Sequence, residues 1–207
     1  MIKPKNKPLT DSLRPPMEIH KSFLNIKPRK DTKYIVVHCS ASQPKADYDW
    51  KSIDQVHRAR GFLTIGYHYV ICTDGRIQNG RNIDALGAHA SGYNDHSVSI
   101  CLVGGVDRAG KSCNNFTKEQ FNSLAKLINW LKYIYYNEDP VVLGHRDLPD
   151  VHKDCPCFDV KPFYAKVKNT YFVYEGTDVT NFSKADFARI NGTPQVGDLL
   201  VKSLGRE

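Results

Sequence analysis

At 207 residues, with 41% hydrophobic and 25% charged content, the chain has an ordinary globular composition and room for one good-sized domain plus appendages, not two full domains. The formal net charge of +7 is local: residues 1–30 hold eight Lys and Arg against Asp11 and Glu18, which leaves residues 31–207 at only +1. A nearly neutral body lacks the basic face that a duplex-binding domain requires, and no apolar run of about 18 residues offers a membrane span.

Residues 1–30 also contain five prolines and no hydrophobic period, so they read as a basic, flexible arm. The first lysines are not followed by an apolar stretch, so no standard secretory signal is expected. The folded pattern starts at "KYIVVHCS" (33–40), a short β-branched run typical of a buried strand. In "DWKSIDQVHRARG" the residues Trp50, Ile53, Val56 and His57 share one helical face, with Asp49 as N-cap and Gly61 as the C-terminal stop. "GYHYVICTDGRIQNGR" (66–81) predicts a hairpin around a two-residue Asp74-Gly75 turn. Strand alternation there puts Tyr67, Tyr69 and Ile71 on one face and His68 on the other. "HSVSICLVGG" (96–105) is a further core strand. "FTKEQFNSLAKLINWLKYIYY" (116–136) is the longest helix, with a Thr117/Gln120 capping box and a stripe of Phe121, Leu124, Leu127, Ile128 and Leu131. "PVVLGHRD" (140–147) is a last short strand. The order β-α-β-β-β-α-β predicts an α/β fold, a single mixed central β-sheet flanked by helices, over residues 31–168. Residues 169–207 form a C-terminal extension, aromatic at first and then turn-rich.

The cysteines at 39, 72, 101, 113, 155 and 157 would permit three disulfides. Cys72 and Cys101 fall inside strand runs, where a free thiol packs as a small core residue, so reduced thiols are expected. The densest chemistry is in "HKDCPCFD" (152–159), which follows a strand-end histidine by a few residues. A Cys155–Cys157 disulfide, with one residue between, would be strained. His38 at the end of the first strand, His145 at the end of the last, and Cys155 ten residues on make a His₂Cys set known from catalytic zinc. Zinc in such a set lowers the pKa of a coordinated water to about 7. No HExxH or paired CxxC spacing closes the site, so His152 and Cys157 remain rival ligands. On the same footing Tyr67 reads as a core aromatic and Lys153 as a solvated loop lysine.

"YIVVHCSAS", "GYHYVI", "DGRIQNGR", "GAHASGYNDHSVSICLVGG", "NFTKEQFNSL", "GHRDL" and "KDCPCFD" occur in this order. Together they resemble the zinc-dependent N-acetylmuramoyl-L-alanine amidases of the type 2 family over about residues 32–166. The small phage endolysins of that family are most similar, and the peptidoglycan recognition proteins are more distant. The resemblance implies one Zn²⁺ held by His38, His145 and Cys155, with Tyr67 and Lys153 catalytic and His89 and Asn94 binding substrate. Between His145 and Cys155 the spacing is longer than in the smallest phage members, and His152 lies in that interval. His68 is expected to be a core or ligand-orienting histidine, and His57 and His96 to lie on the surface or a helix face.

The implied reaction is hydrolysis of the amide between N-acetylmuramic acid and L-alanine in bacterial peptidoglycan, by a monomeric endolysin that waits in the host cytoplasm before reaching the wall. Two other roles occur among the relatives: restraint of a phage RNA polymerase, and recognition of peptidoglycan without cleavage. Recognition-only relatives typically lack the cysteine, so the retained Cys155 favours hydrolysis. No specific nucleic acid and no membrane partner are implied. The basic arm could hold an anionic wall, and "INGTPQVGDLLV" (190–201) faintly resembles the end of a LysM-type wall-binding repeat.

Overall fold

A computed structural model describes residues 14–18 and 26–168; the C-terminal extension, and with it the wall-binding resemblance at 190–201, lies outside the described residues. Six strands form one sheet: β1 (Met17–Glu18), β2 (Tyr34–Cys39), β3 (Tyr69–Ile71), β4 (Ile77–Asn79), β5 (Ser97–Leu102) and β6 (Val141–Gly144). Their spatial order is β1-β4-β3-β5-β2-β6, with β3/β4 antiparallel and every other pair parallel. The sheet is therefore mixed, as the sequence predicts. The central strands β2 and β5 are covered on both faces, which is why they read as continuous apolar runs rather than alternating ones.

Helices α1 (Trp50–Ala59), α2 (Lys118–Ile134) and α3 (Val160–Val167) pack on the sheet. On one face, Leu124, Leu127, Ile128 and Leu131 of α2 and Val160 of α3 meet Ile35, Val37, Ile71 and Ile100 in the main core. Truncating one such leucine to alanine costs roughly 2–5 kcal/mol. On the opposite face Ile53 of α1 packs with Ile65, Val70, Cys101 and Val103, while Val36 packs with Leu143 and Leu148. The Asp49 cap and the Thr117/Gln120 capping box both form. Helix α3 was not foreseen: it is short and carries Pro162 in its first turn, where proline's missing N–H costs no intrahelical bond.

Three expectations are corrected. The hairpin loop spans residues 73–75, because Cys72 N–H donates to Arg76 O while Gly75 takes φ +85°. That is a turn followed by a left-handed residue rather than a two-residue turn. Tyr69 and Ile71 join the main core, but Tyr67 precedes the strand and packs with the α1-side cluster, so strand alternation does not extend to it. Residues 14–18 and 26–30, assigned by sequence to the flexible arm, are seated on the fold. Met17–Glu18 pairs with β4, and the buried Arg29 donates to Ile83 O, Asp31 O, Thr32 Oγ1 and Tyr135 Oη. Four acceptors satisfy a guanidinium that composition alone marks as solvent-bound. All six cysteines are free thiols.

Candidate active site

Parallel register builds the centre of the site. Val37 of β2 pairs with Gly144 of β6, so the next residues, His38 and His145, leave neighbouring strands side by side at their carboxyl ends. Ligand sites in open α/β sheets form at such strand ends. The two imidazole rings lie 4.5 Å apart between centroids. Gly144 lets the chain turn there: a Cβ would come 2.8 Å from Pro156 Cδ. The turn is held by Asp147, whose Oδ2 accepts from Gly144 N–H at 2.8 Å.

The third residue arrives from the loop after β6. Arg146 N–H donates to Cys155 O at 2.8 Å, tying that loop to the His145 turn. Cys39 N–H donates to Cys155 Sγ at 3.3 Å, tying it to β2. Cys155 Sγ then sits 3.7 Å from His38 Nδ1. Among the described residues, His38, His145 and Cys155 form the one three-member group of metal-ligand side chains, their donor atoms all within 4.8 Å of one another. A tetrahedral ion with Zn–S near 2.3 Å and Zn–N near 2.0 Å requires an S···N edge of about 3.5 Å, close to the 3.7 Å between Cys155 Sγ and His38 Nδ1. The rivals do not join the group: His152 is exposed, and Cys157 turns its Sγ to Gly105 O and to Cys39 Sγ, 3.8 Å away.

The electrostatics suit cation binding. Burial pushes His38 well below the ordinary imidazole range, with the charges of His145 and Lys153 adding to it. His145 is lowered by burial first and Lys153 second. Both rings are thus neutral near pH 7, the form that offers a lone pair to a metal. Tyr67 lines the same cleft with its ring 5.1 Å from that of His38, and burial, then the neighbouring Cys101, Cys155 and Cys39 thiols, push its phenol well above the usual range. Lys153 is exposed and lines the cleft from the loop that carries Cys155.

His57 lies on the inward face of α1 beside Ile53, a helix face as the sequence predicts. It is 93% buried, lines the cleft, and its Nδ1 accepts from Gly66 N–H at 2.9 Å. The chain doubles back there because Gly66 has no side chain; a Cβ would lie 2.1 Å from Ala88 O. His96 is partly exposed and pairs with Asp31. His68 is fully buried in the core, with Nδ1 accepting from Ser99 N–H and Nε2 on Ala85 O at 2.9 Å. His89 and Asn94 adjoin each other: Asn94 Oδ1 accepts from the N–H groups of His89 and Ala90 at 2.8 and 3.0 Å. His89 reaches His38, with Nδ1 at 3.0 Å from His38 Nε2. Sequence reasoning missed this contact, since 51 residues separate the two and no periodicity links them.

The α/β sheet thus presents, at its strand ends, a His₂Cys group that could hold a metal ion in a cleft lined also by Tyr67 and Lys153. Residues 28–158 match the family described as N-acetylmuramoyl-L-alanine amidase, and the chain belongs to that family. It is 42% identical over 143 residues to the endolysin of Enterobacteria phage T3, covering 69% of this chain and 92% of that protein. To the endolysin of Escherichia phage T7 it is 41% identical, with the same coverage. Among solved structures, the endolysin amidase LysCS from Clostridium intestinale URNW matches with TM-score 0.62 and 26% identity over 75% of this chain and 97% of that one. Drosophila peptidoglycan recognition protein LB matches with TM-score 0.55 and 25% identity over 77% and 93%. The chain is an amidase that hydrolyses peptidoglycan, and among the described residues no helix is long and apolar enough to cross a membrane.

Proposed function

We propose that the chain is a phage endolysin that cleaves the bond between the lactoyl group of N-acetylmuramic acid and L-alanine, with one Zn²⁺ held by His38 Nδ1, a ring nitrogen of His145 and Cys155 Sγ. The observation that carries this reading is the convergence of those donors within 4.8 Å in the cleft that Tyr67 and Lys153 also line. When bound, zinc supplies Lewis-acid polarisation of a carbonyl and activation of water at neutral pH.

The protein's own groups do the rest. Hydrolysis forms a C–O bond at the lactoyl carbonyl, breaks the C–N bond, and requires a proton on the departing alanine nitrogen. Lys153, an exposed cation facing the cleft, stabilises the oxygen that gains negative charge. Tyr67 keeps its proton at neutral pH because burial disfavours the phenolate, so it acts as a hydrogen-bond donor that orients water or substrate, and any proton it passes to the leaving nitrogen is replaced by the one the attacking water gives up. Turnover on purified peptidoglycan, read as newly freed N-terminal alanine, tests the proposal. Activity is expected to vanish on chelation and return with zinc; turnover indifferent to chelation refutes it.

A further inference from the structure

We infer that His89 is a positioning residue for the metal centre, the middle of a hydrogen-bond chain from His38 through His89 and Ser97 to the Tyr93 carbonyl that leaves His38 Nδ1 bare. This rests on the metal reading proposed above and assigns a role different from the substrate contact implied by resemblance.

The direction of every bond follows from the end of the chain. A backbone carbonyl can only accept, so Ser97 Oγ–H donates to Tyr93 O at 2.7 Å. That spends the hydroxyl's one proton, and Ser97 Oγ is left to accept from His89 Nε2 at 3.2 Å. A neutral imidazole protonated on Nε2 has a bare Nδ1, which accepts from His38 Nε2–H at 3.0 Å. His38 therefore carries its proton on Nε2, and its lone pair is on Nδ1, the nitrogen facing Cys155 Sγ.

The surroundings hold the His89 ring in place. Asn94 grips its backbone through two N–H groups, and Gly87 leaves space for it, since a Cβ there would lie 2.6 Å from His89 Cδ2 and 2.9 Å from Nε2. Both ring nitrogens are engaged inside the protein, so neither is free for a glycan or peptide. Partners of this type fix the tautomer and orientation of a metal-binding histidine, and losing one typically costs 10–100-fold in metal affinity.

The test uses the full chain. Zinc dissociation constants come from competition with a chromophoric chelator, and the His38 tautomer from imidazole ¹⁵N NMR of metal-free protein. In the wild type, His38 should be protonated on Nε2. His89→Ala should weaken zinc binding about 10–100-fold. His89→Asn, whose amide oxygen can take the Nδ1 acceptor position, should recover most of that loss. Ser97→Ala should cost less, roughly two- to tenfold, the value of one neutral hydrogen bond. An Nδ1-protonated His38 in the wild type overturns the inference. So does a His89→Ala protein with unchanged zinc affinity and a raised KM for peptidoglycan, which would return His89 to the groove. Failure of the wild type to bind zinc would instead overturn the metal reading, while the tautomer, measured without metal, still judges the chain.

Discussion

His38, within β2, and His68, just before β3, are both fully buried imidazoles, and they illustrate what makes a buried histidine a ligand. Each is pushed toward the neutral form chiefly by burial. Each has one nitrogen facing a partner that determines its protonation. The difference lies in the other nitrogen. His68 uses both inside the core, Nδ1 with Ser99 and Nε2 with Ala85 O, whereas His38 Nδ1 faces only Cys155 Sγ and the cleft. Burial is common to both; the uncommitted lone pair is what separates a metal ligand from a core brace.

Substituting the two residues should break the comparison cleanly. His38→Ala should abolish zinc binding and peptidoglycan turnover while leaving a folded protein, because it removes one of three donors. His68→Ala should keep zinc in the folded fraction but lower stability by roughly 3 kcal/mol or more, since it empties a core site and strands Ser99 N–H and Ala85 O. Metal content by atomic absorption and urea unfolding separate the two. Loss of zinc from folded His68→Ala would show that the core histidine also serves the site.

The open side of His38 supplies the next effect. Lys153→Ala removes a charge that faces the cleft without touching a donor atom. Turnover should fall about 10²–10³-fold at unchanged zinc affinity, the usual loss for one oxyanion-stabilising group. Equal turnover would leave Lys153 as a solvated lysine.

Acid should expose the closed side. Unfolded, His68 binds a proton below about pH 6.5, whereas the native site, pushed down to about 4, refuses it across that window. The unfolded state therefore holds more protons between these values, so stability is lost as pH falls from 6.5 toward 4, by about 3 kcal/mol for this residue. Urea unfolding of metal-free protein at pH 7 and pH 4.5 should show a smaller drop for His68→Asn than for the wild type. An identical drop would mean that His68 titrates normally.

Much of this frame was legible in one dimension. The β-branched run at 33–40, the capping box at Thr117 and the apolar stripe behind it each express a local rule, and each formed. The donor residues were visible as strand-end histidines and a loop cysteine, but their convergence was not, because the Val37–Gly144 register is a property of the sheet. Local patterns also misplaced groups governed by distant ones. The helical face of His57 was legible but its bond to Gly66 N–H was not, and Arg29 looked like part of a free basic arm until Ile83, Thr32 and Tyr135 were brought beside it. Tyr67 lies two residues before the strand whose alternation was used to orient it.

The finest division falls within β5, where Ser97 and Ser99 point to the same face two residues apart. Ser97 links His89, and through it His38, to the Tyr93 carbonyl, while Ser99 accepts from His68 N–H at 3.1 Å and lies 2.9 Å from its Nδ1. One residue type at one strand phase thus serves the site in one position and the core in the next. Ser99→Ala should cost only about 1 kcal/mol in urea unfolding, the net worth of a hydrogen-bonded hydroxyl, and should leave the zinc dissociation constant unchanged. Should zinc affinity fall in Ser99→Ala as far as in Ser97→Ala, the two histidines would belong to one coupled network, and the boundary between brace and ligand support would have to be drawn outside both.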